Sequence, residues 1–236
     1  MPTREEWGQW TDPRWMLWRL FCSPPPPGAL ARLLTRVGLR KPQASTPWQP
    51  PYRLTNRALS LFDCACGRPL GPRLDEACRA YLETKERYAE GAASLTELHA
   101  AEKEAYRSFP VLHRPGPLTR MEATYAWIVP FADFRLRDPE REPGEAQSQA
   151  ALLREVFGYP FRSAPILDSQ RLSWTGGPVS SLAEAIYQER AFDRLPELAD
   201  VLQSAGIDDA DILGHFREPG PHVRGCWALD LILAKE

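Results

Sequence analysis

The chain has 236 residues, 43% of them hydrophobic and 25% charged, and its 29 lysines and arginines against 31 acids leave a net charge of −2. That is the composition of a folded globule long enough to bury a core without disulfides or metals, and the near balance of charge excludes the wholesale nucleic-acid binding of a basic domain. Its 15 glycines and 24 prolines stay below the share typical of low-complexity disorder, but proline runs at about twice its usual frequency and points to long Pro-rich joints.

The opening Met1-Pro2-Thr3-Arg4-Glu5-Glu6-Trp7 puts acids where a secretory leader has a basic patch and then an apolar run. No window reaches the roughly 18 uninterrupted apolar residues of a membrane span, so a cytoplasmic chain with no membrane span is expected. Five cysteines, Cys22, Cys64, Cys66, Cys78 and Cys226, are odd in number and scattered, and read as reduced, buried thiols.

Residues 1–23 form a Trp-rich N-terminal segment. Thr11-Asp12-Pro13 supplies a cap and a first-turn proline for a short helix over about 13–21, on which Trp15, Leu17, Trp18 and Phe21 fall at helical spacings. Pro24 to Pro27 end it. Residues 24–51 read as a Pro-rich linker interrupted by a short basic amphipathic helix. Leu30, Leu33, Leu34 and Val37 make its apolar face, with Arg32, Arg36, Arg40 and Lys41 on the others. Such a helix either docks on a partner or packs on its own domain, and the second is the plainer expectation.

Residues 52–136 form a helical N-terminal part. Leu54, Ala58, Leu61, Phe62 and Ala65 trace one helix, and Leu74, Cys78, Tyr81, Leu82, Lys85 and Ala89 trace a longer one that ends at Gly91. Ser94-Leu95-Thr96-Glu97 and Thr119-Arg120-Met121-Glu122 are capping boxes, the second opening a helix expected to stop or kink near Pro130. Residues 137–145 make a charged, Pro- and Gly-containing joint. A helical C-terminal part, 145–236, then begins with a helix over about 145–157 carrying Leu152, Leu153, Val156 and Phe157. Ser181 is expected to cap a helix running to about Ala191, Leu195-Pro196 to start another that stops at Gly206, and Asp208, Asp209 and Asp211 to mark the next N-terminus. The apolar segment Val223 to Leu233 is read as helix. The fold expected is all-α, a multi-helix bundle-like globule in two packed helical parts.

Two groups of residues carry possible chemistry. Cys64-Ala65-Cys66 has one intervening residue, whereas structural zinc prefers two to four. On a helix the two side chains would point roughly 200° apart, which makes them core fillers. The segment His215 to Cys226 is the densest polar constellation. On a helix His222 and Cys226 would share a face at i,i+4, and His215 could swing in across the Pro219-Gly220-Pro221 turn. Asp208, Asp209 or Asp211 could add a carboxylate, or Asp230 could orient a Cys–His pair for nucleophilic catalysis. The plain alternative is that these histidines cap helix ends. Glu184, Glu189, Arg190, Asp193 and Arg194 form a charged cluster read as salt bridges around the turn before Leu195. No nucleotide-binding fingerprint, zinc-protease motif or nucleophile elbow occurs.

Phe157-Gly158-Tyr159-Pro160-Phe161-Arg162, Glu189-Arg190-Ala191-Phe192-Asp193-Arg194-Leu195-Pro196 with Leu198-Ala199-Asp200, and His222-Val223-Arg224-Gly225-Cys226-Trp227 resemble a large paralogous family of planctomycete bacteria. Glu6-Trp7, Thr11-Asp12-Pro13, Leu61-Phe62 with Cys64-Ala65-Cys66, and Glu86-Arg87-Tyr88-Ala89 are similar to the same family, so the resemblance covers most of the chain. The linker 24–51 reads as an insertion, and Gly67 and Phe216 stand where the family pattern has cysteine. The resemblance implies no reaction, substrate or partner.

The function expected from the residues is a non-enzymatic module that binds a protein partner through Trp15, Trp18, Arg32, Arg36, Arg40 and Trp48, because Trp and Arg are favoured interface anchors. The alternative is a hydrolase or metal-dependent enzyme using His215, His222 and Cys226, with Asp230 as a further candidate. No cofactor and no bound metal are expected, and His215, His222 and Cys226 are the candidates if a metal is present. Nucleic acid is a third option through Arg32, Arg36, Arg40 and Lys41 alone.

Overall fold

The computed structural model describes residues 3–21, 56–109, 129–137, 143–160 and 177–235. The expectations for Trp48, for the basic helix with Arg32, Arg36, Arg40 and Lys41, and for the Thr119 capping box fall outside these residues. Among the described residues there are eleven α-helices and no strand, and the helices pack together as an all-α globule. None is long and apolar enough to cross a membrane.

Helix α1 (Arg4–Gln9) is opened by a reciprocal box in which Thr3 accepts from the Glu6 amide and the Glu6 carboxylate accepts from the Thr3 amide. It went unread in the sequence because one and a half turns show no periodicity. Asp12 accepts from the amides of Arg14 and Trp15 and so starts α2 (Pro13–Phe21), with Pro13 losing no hydrogen bond at the first helical position. Then come α3 (Asn56–Gly67), a 3-10 turn (Arg68–Arg73), α4 (Glu76–Ala89, capped by Asp75) and α5 (Leu95–Ser108, with the expected Ser94/Glu97 box). The rest are α6 (Pro130–Arg137), α7 (Glu145–Phe157), α8 (Pro178–Glu189), α9 (Leu195–Ser204), α10 (Ala210–Arg217) and α11 (Trp227–Ile232).

Pro130 is the first residue of α6, where its missing N–H and fixed φ cost nothing; the helix expected to stop near it lies outside the described residues. Two elements differ from expectation. Ser181 lies inside α8 rather than capping it; Gly177 and Pro178 start that helix one turn earlier. Val223 to Cys226 are not helical, because Gly225 at φ +89 turns the chain and α11 starts only at Trp227.

Three apolar clusters hold the helices. The first joins Trp7 to Met16 and Leu17 of α2, Phe62 and Cys66 of α3, Ala132 of α6 and Leu153 of α7. Helix α7, read from sequence as the head of the C-terminal part, thus shares its core with α2, α3 and α6. The second joins α8, α9, α10 and α11 through Ile186, Leu198, Ile212, Phe216, Cys226 and Leu229. The third lies between α3, α4, α5 and α6, around Cys64, Tyr81, Ala105 and Phe131. Cys64 and Cys66 therefore enter different clusters on opposite sides of α3.

Charges are buried only where they are matched. Asp63 is fully buried in α3, accepts from the Ala132 amide at 3.0 Å, and meets the buried Lys85 ammonium at 2.5 Å. Arg57 links distant elements: it donates to Asp230 at 2.5 Å, to Tyr187 at 2.7 Å and to Glu90 at 3.1 Å.

Candidate metal centre

Glu155 stands in the last turn of α7, beside Leu152, Leu153 and Val156, and is 2% exposed. That position is penalised twice, since the helix C-terminus repels an anion and burial removes its water. Something must compensate. The compensation comes from α10 and the loop that follows it.

Asp209 accepts from the amides of Asp211 and Ile212, and α10 runs only to Arg217. His215 lies in its last turn, with Nε2 at 3.2 Å from Glu155 Oε2 and 3.2 Å from Cys226 Sγ. Pro219-Gly220-Pro221 cannot continue the helix, so the chain loops back. His222 then places Nδ1 3.2 Å from both Glu155 oxygens while its Nε2 lies 3.0 Å from the Glu218 carbonyl oxygen. Gly225 carries the turn close over α3, where a Cβ would lie 3.1 Å from Leu61, and the turn delivers the fully buried Cys226. One atom from each of Glu155, His215, His222 and Cys226 falls within 4.8 Å of all the others.

The electrostatics follow from this crowding. Burial pushes the Glu155 carboxyl up, but hydrogen bonds with His215 and His222 override it and hold the group at about 2. Burial lowers His222, yet its contact with Glu155 wins and raises it. Burial, reinforced by the Glu155 charge, pushes the Cys226 thiol well above its ordinary value. Without a metal, these atoms form a hydrogen-bond hub in which side-chain donors converge on one carboxylate.

The same atoms have the dimensions of a tetrahedral site. Zinc bonds of about 2.0–2.3 Å imply ligand–ligand edges of roughly 3.3–3.8 Å; the four atoms here range from 3.2 Å apart to within 4.8 Å, so small side-chain shifts would bring them to such a site. His222 has the supporting contact of a metal-bound imidazole, with one nitrogen facing the cluster and the other at a backbone carbonyl. A divalent ion would meet two neutral imidazoles, a thiolate and a carboxylate, whose combined charge of −2 would cancel its own.

The structure thus brings together His215, His222 and Cys226, the candidates of the alternative reading, by a turn and not by helical spacing, while His222 also meets the carbonyl of Glu218, the C-cap of α10, as the plain alternative had it. It does not bring Asp230, whose carboxylate is held at both oxygens by Arg57. Nor do the other aspartates join: Asp209 caps α10, Asp211 pairs with Arg4, and Asp208 is exposed. Glu155 was missed. Its signal was a lone carboxylate inside an apolar stripe, which demands a buried partner. In the other charged cluster, Arg190 and Arg194 pair with Glu86 and Glu197, not with Glu189 or Asp193. Of the expected partner-binding residues that are described, Trp15 is 40% exposed and stacks on the half-buried Trp18 at 4.9 Å.

Comparisons of the chain with models of known protein families, with curated proteins and with solved structures find no match.

Proposed function

We propose that the protein is a helical module stapled by one transition-metal ion, with Zn2+ the best fit, held by Glu155, His215, His222 and Cys226. The observation that carries this reading is the convergence of four ligand atoms from three chain segments within 4.8 Å, two of the residues almost or fully buried. Two imidazoles, a thiolate and a carboxylate suit a borderline-soft, tetrahedral ion. Four protein ligands leave no open position, which favours a structural site over a hydrolytic one. The Cys–His nucleophile reading has less support, because a thiol pushed up by burial supplies little thiolate and Asp230 is engaged elsewhere.

A closed staple fits a non-enzymatic module, and the exposed Trp15 on Trp18 supports protein binding as its task. The test is metal content of untagged protein purified without chelator, followed by Co2+ substitution. One equivalent of metal is expected, with a thiolate-to-cobalt charge-transfer band that Cys226→Ser abolishes. Protein that retains no metal and gives no such band on Co2+ titration would leave only the hydrogen-bond hub.

A further inference from the structure

A second cleft, of about 290 Å3, opens on the far side of His222, between the turn after α3 and the junction of α8 with α9. Three of its lining residues are arginines that converge on one acid. Arg68, Arg190 and Arg224 all form ion pairs with the Glu86 carboxylate, Arg224 at 3.3 Å. One carboxylate needs one guanidinium; among the described residues three meet this one, with Glu83 also acting on Arg68 and Glu90 on Arg190, so the cleft is arginine-rich. Burial and mutual repulsion lower the proton affinity of both Arg68 and Arg190, which marks the crowding as costly. The adjoining network relieves it only in part: Glu90 and Tyr187 favour the charged Arg190, but Glu90 and Asp230 are also shared with Arg57 and Lys235.

Two details indicate a built arrangement. Arg190 is the left-handed C-terminal cap of α8, at φ +56, and that helix ending aims its side chain at Glu86. Arg224 lies over the Tyr187 ring at 5.3 Å, and its Nε is buried without a hydrogen-bond partner. The remaining walls are apolar: Leu61, Pro69, Phe192 and Val223.

We propose that this cleft binds a small phosphomonoester, its phosphate on Arg68, Arg190 and Arg224 and its organic body on the Leu61–Phe192 wall. A phosphomonoester carries nearly two negative charges at neutral pH, which suits a cleft where three guanidiniums share one buried carboxylate. Its planar oxygen pairs suit the guanidinium fork, and the volume suits a compact organic group.

The experiment is calorimetric titration of the full, as-purified chain with phenyl phosphate and, separately, with inorganic phosphate. Saturable binding of phenyl phosphate, tighter than that of inorganic phosphate, is expected. Arg190→Gly removes the guanidinium while easing the backbone, so this variant should melt like the parent and bind at least about tenfold more weakly. Arg224→Lys, which keeps the charge but loses the fork, should also weaken binding. Absence of saturable binding, or unchanged affinity in Arg190→Gly, would overturn the proposal. The second result would send the phosphate to the metal instead, so failure here is distinguishable from failure of the metal reading. Equal affinity for the two probes would refute the organic body and leave free phosphate as the ligand.

Discussion

If the proposed metal is bound, removing it should loosen the whole fold by a calculable amount. Glu155 belongs to α7, packed in the first apolar cluster, while His215, His222 and Cys226 belong to α10 and its loop, packed in the second. Unfolding of either cluster separates the ligands, so the unfolded chain keeps no site and the full linkage energy appears as stability. At a free Zn2+ concentration about 100-fold above Kd this is about 2.7 kcal/mol. A chain of this size shifts by about 2–4 °C per kcal/mol, which gives a rise of about 5–11 °C. Each further tenfold in free metal adds about 1.4 kcal/mol, or about 3–6 °C. Scanning calorimetry over a zinc-buffer series, against chelator-stripped protein, measures both numbers. A melting temperature that ignores zinc, or a Cys226→Ser variant that climbs in parallel with the parent, would refute the reasoning.

Three further outcomes are expected. Lys85→Met strands the buried Asp63 charge and should cost about 3–5 kcal/mol, whereas Asp63→Leu with Lys85→Met should cost well below the sum of the two single changes; additive losses in urea unfolding would count against a buried pair. Gly158 sits at φ +58 with its missing Cβ position 2.9 Å from the Trp227 ring, while Gly206 at φ +84 has open space. Gly158→Ala should therefore lose at least about 2 kcal/mol through strain plus overpacking, and Gly206→Ala only the strain; equal losses would remove the role assigned to Trp227. Burial pushes the Glu90 carboxyl up, but the Tyr187 hydroxyl, Arg57 and Lys235 outweigh it and hold the group below the usual carboxylate range. A depressed carboxyl stabilises fully above its unfolded value and loses that stabilisation as pH falls through the folded one. The stability advantage of the parent over Glu90→Gln should accordingly shrink on acidification below the ordinary glutamate range; a gap constant with pH would contradict it.

Helix starts were legible where a capping side chain stands before a periodic apolar run, as at Asp12, Ser94 and Asp209, but not at Thr3, whose helix is too short to show a period. They were ambiguous where proline was the marker. Pro130 fits both the end of one helix and the first turn of the next; the structure shows the second, with Phe131 and Ala132 packed in the core. Ser181 offered a cap, but Gly177-Pro178 outcompeted it because proline sets φ a turn earlier. Three of the four site residues lie in one short polar segment and could be read together. The fourth, Glu155, stands 67 residues before His222 and reaches it only through tertiary packing of α7. The positions where Arg57 meets Asp230, and where Arg190 and Arg224 meet Glu86, are likewise contacts across more than 100 residues, which no local pattern announces.

The four described cysteines give the molecule a built-in stopwatch. All are buried and outside any disulfide, so in chelator-stripped protein a thiol-alkylating reagent reaches them only when the surrounding helices part. They are also shared out, with Cys66 in the first cluster, Cys226 in the second, and Cys64 and Cys78 in the third. Labelling resolved peptide by peptide therefore times the opening of each cluster separately in the unmodified protein. Equal rates at all four would mean that the helices come apart in one step, whereas a graded order would reveal which part of the globule breathes first.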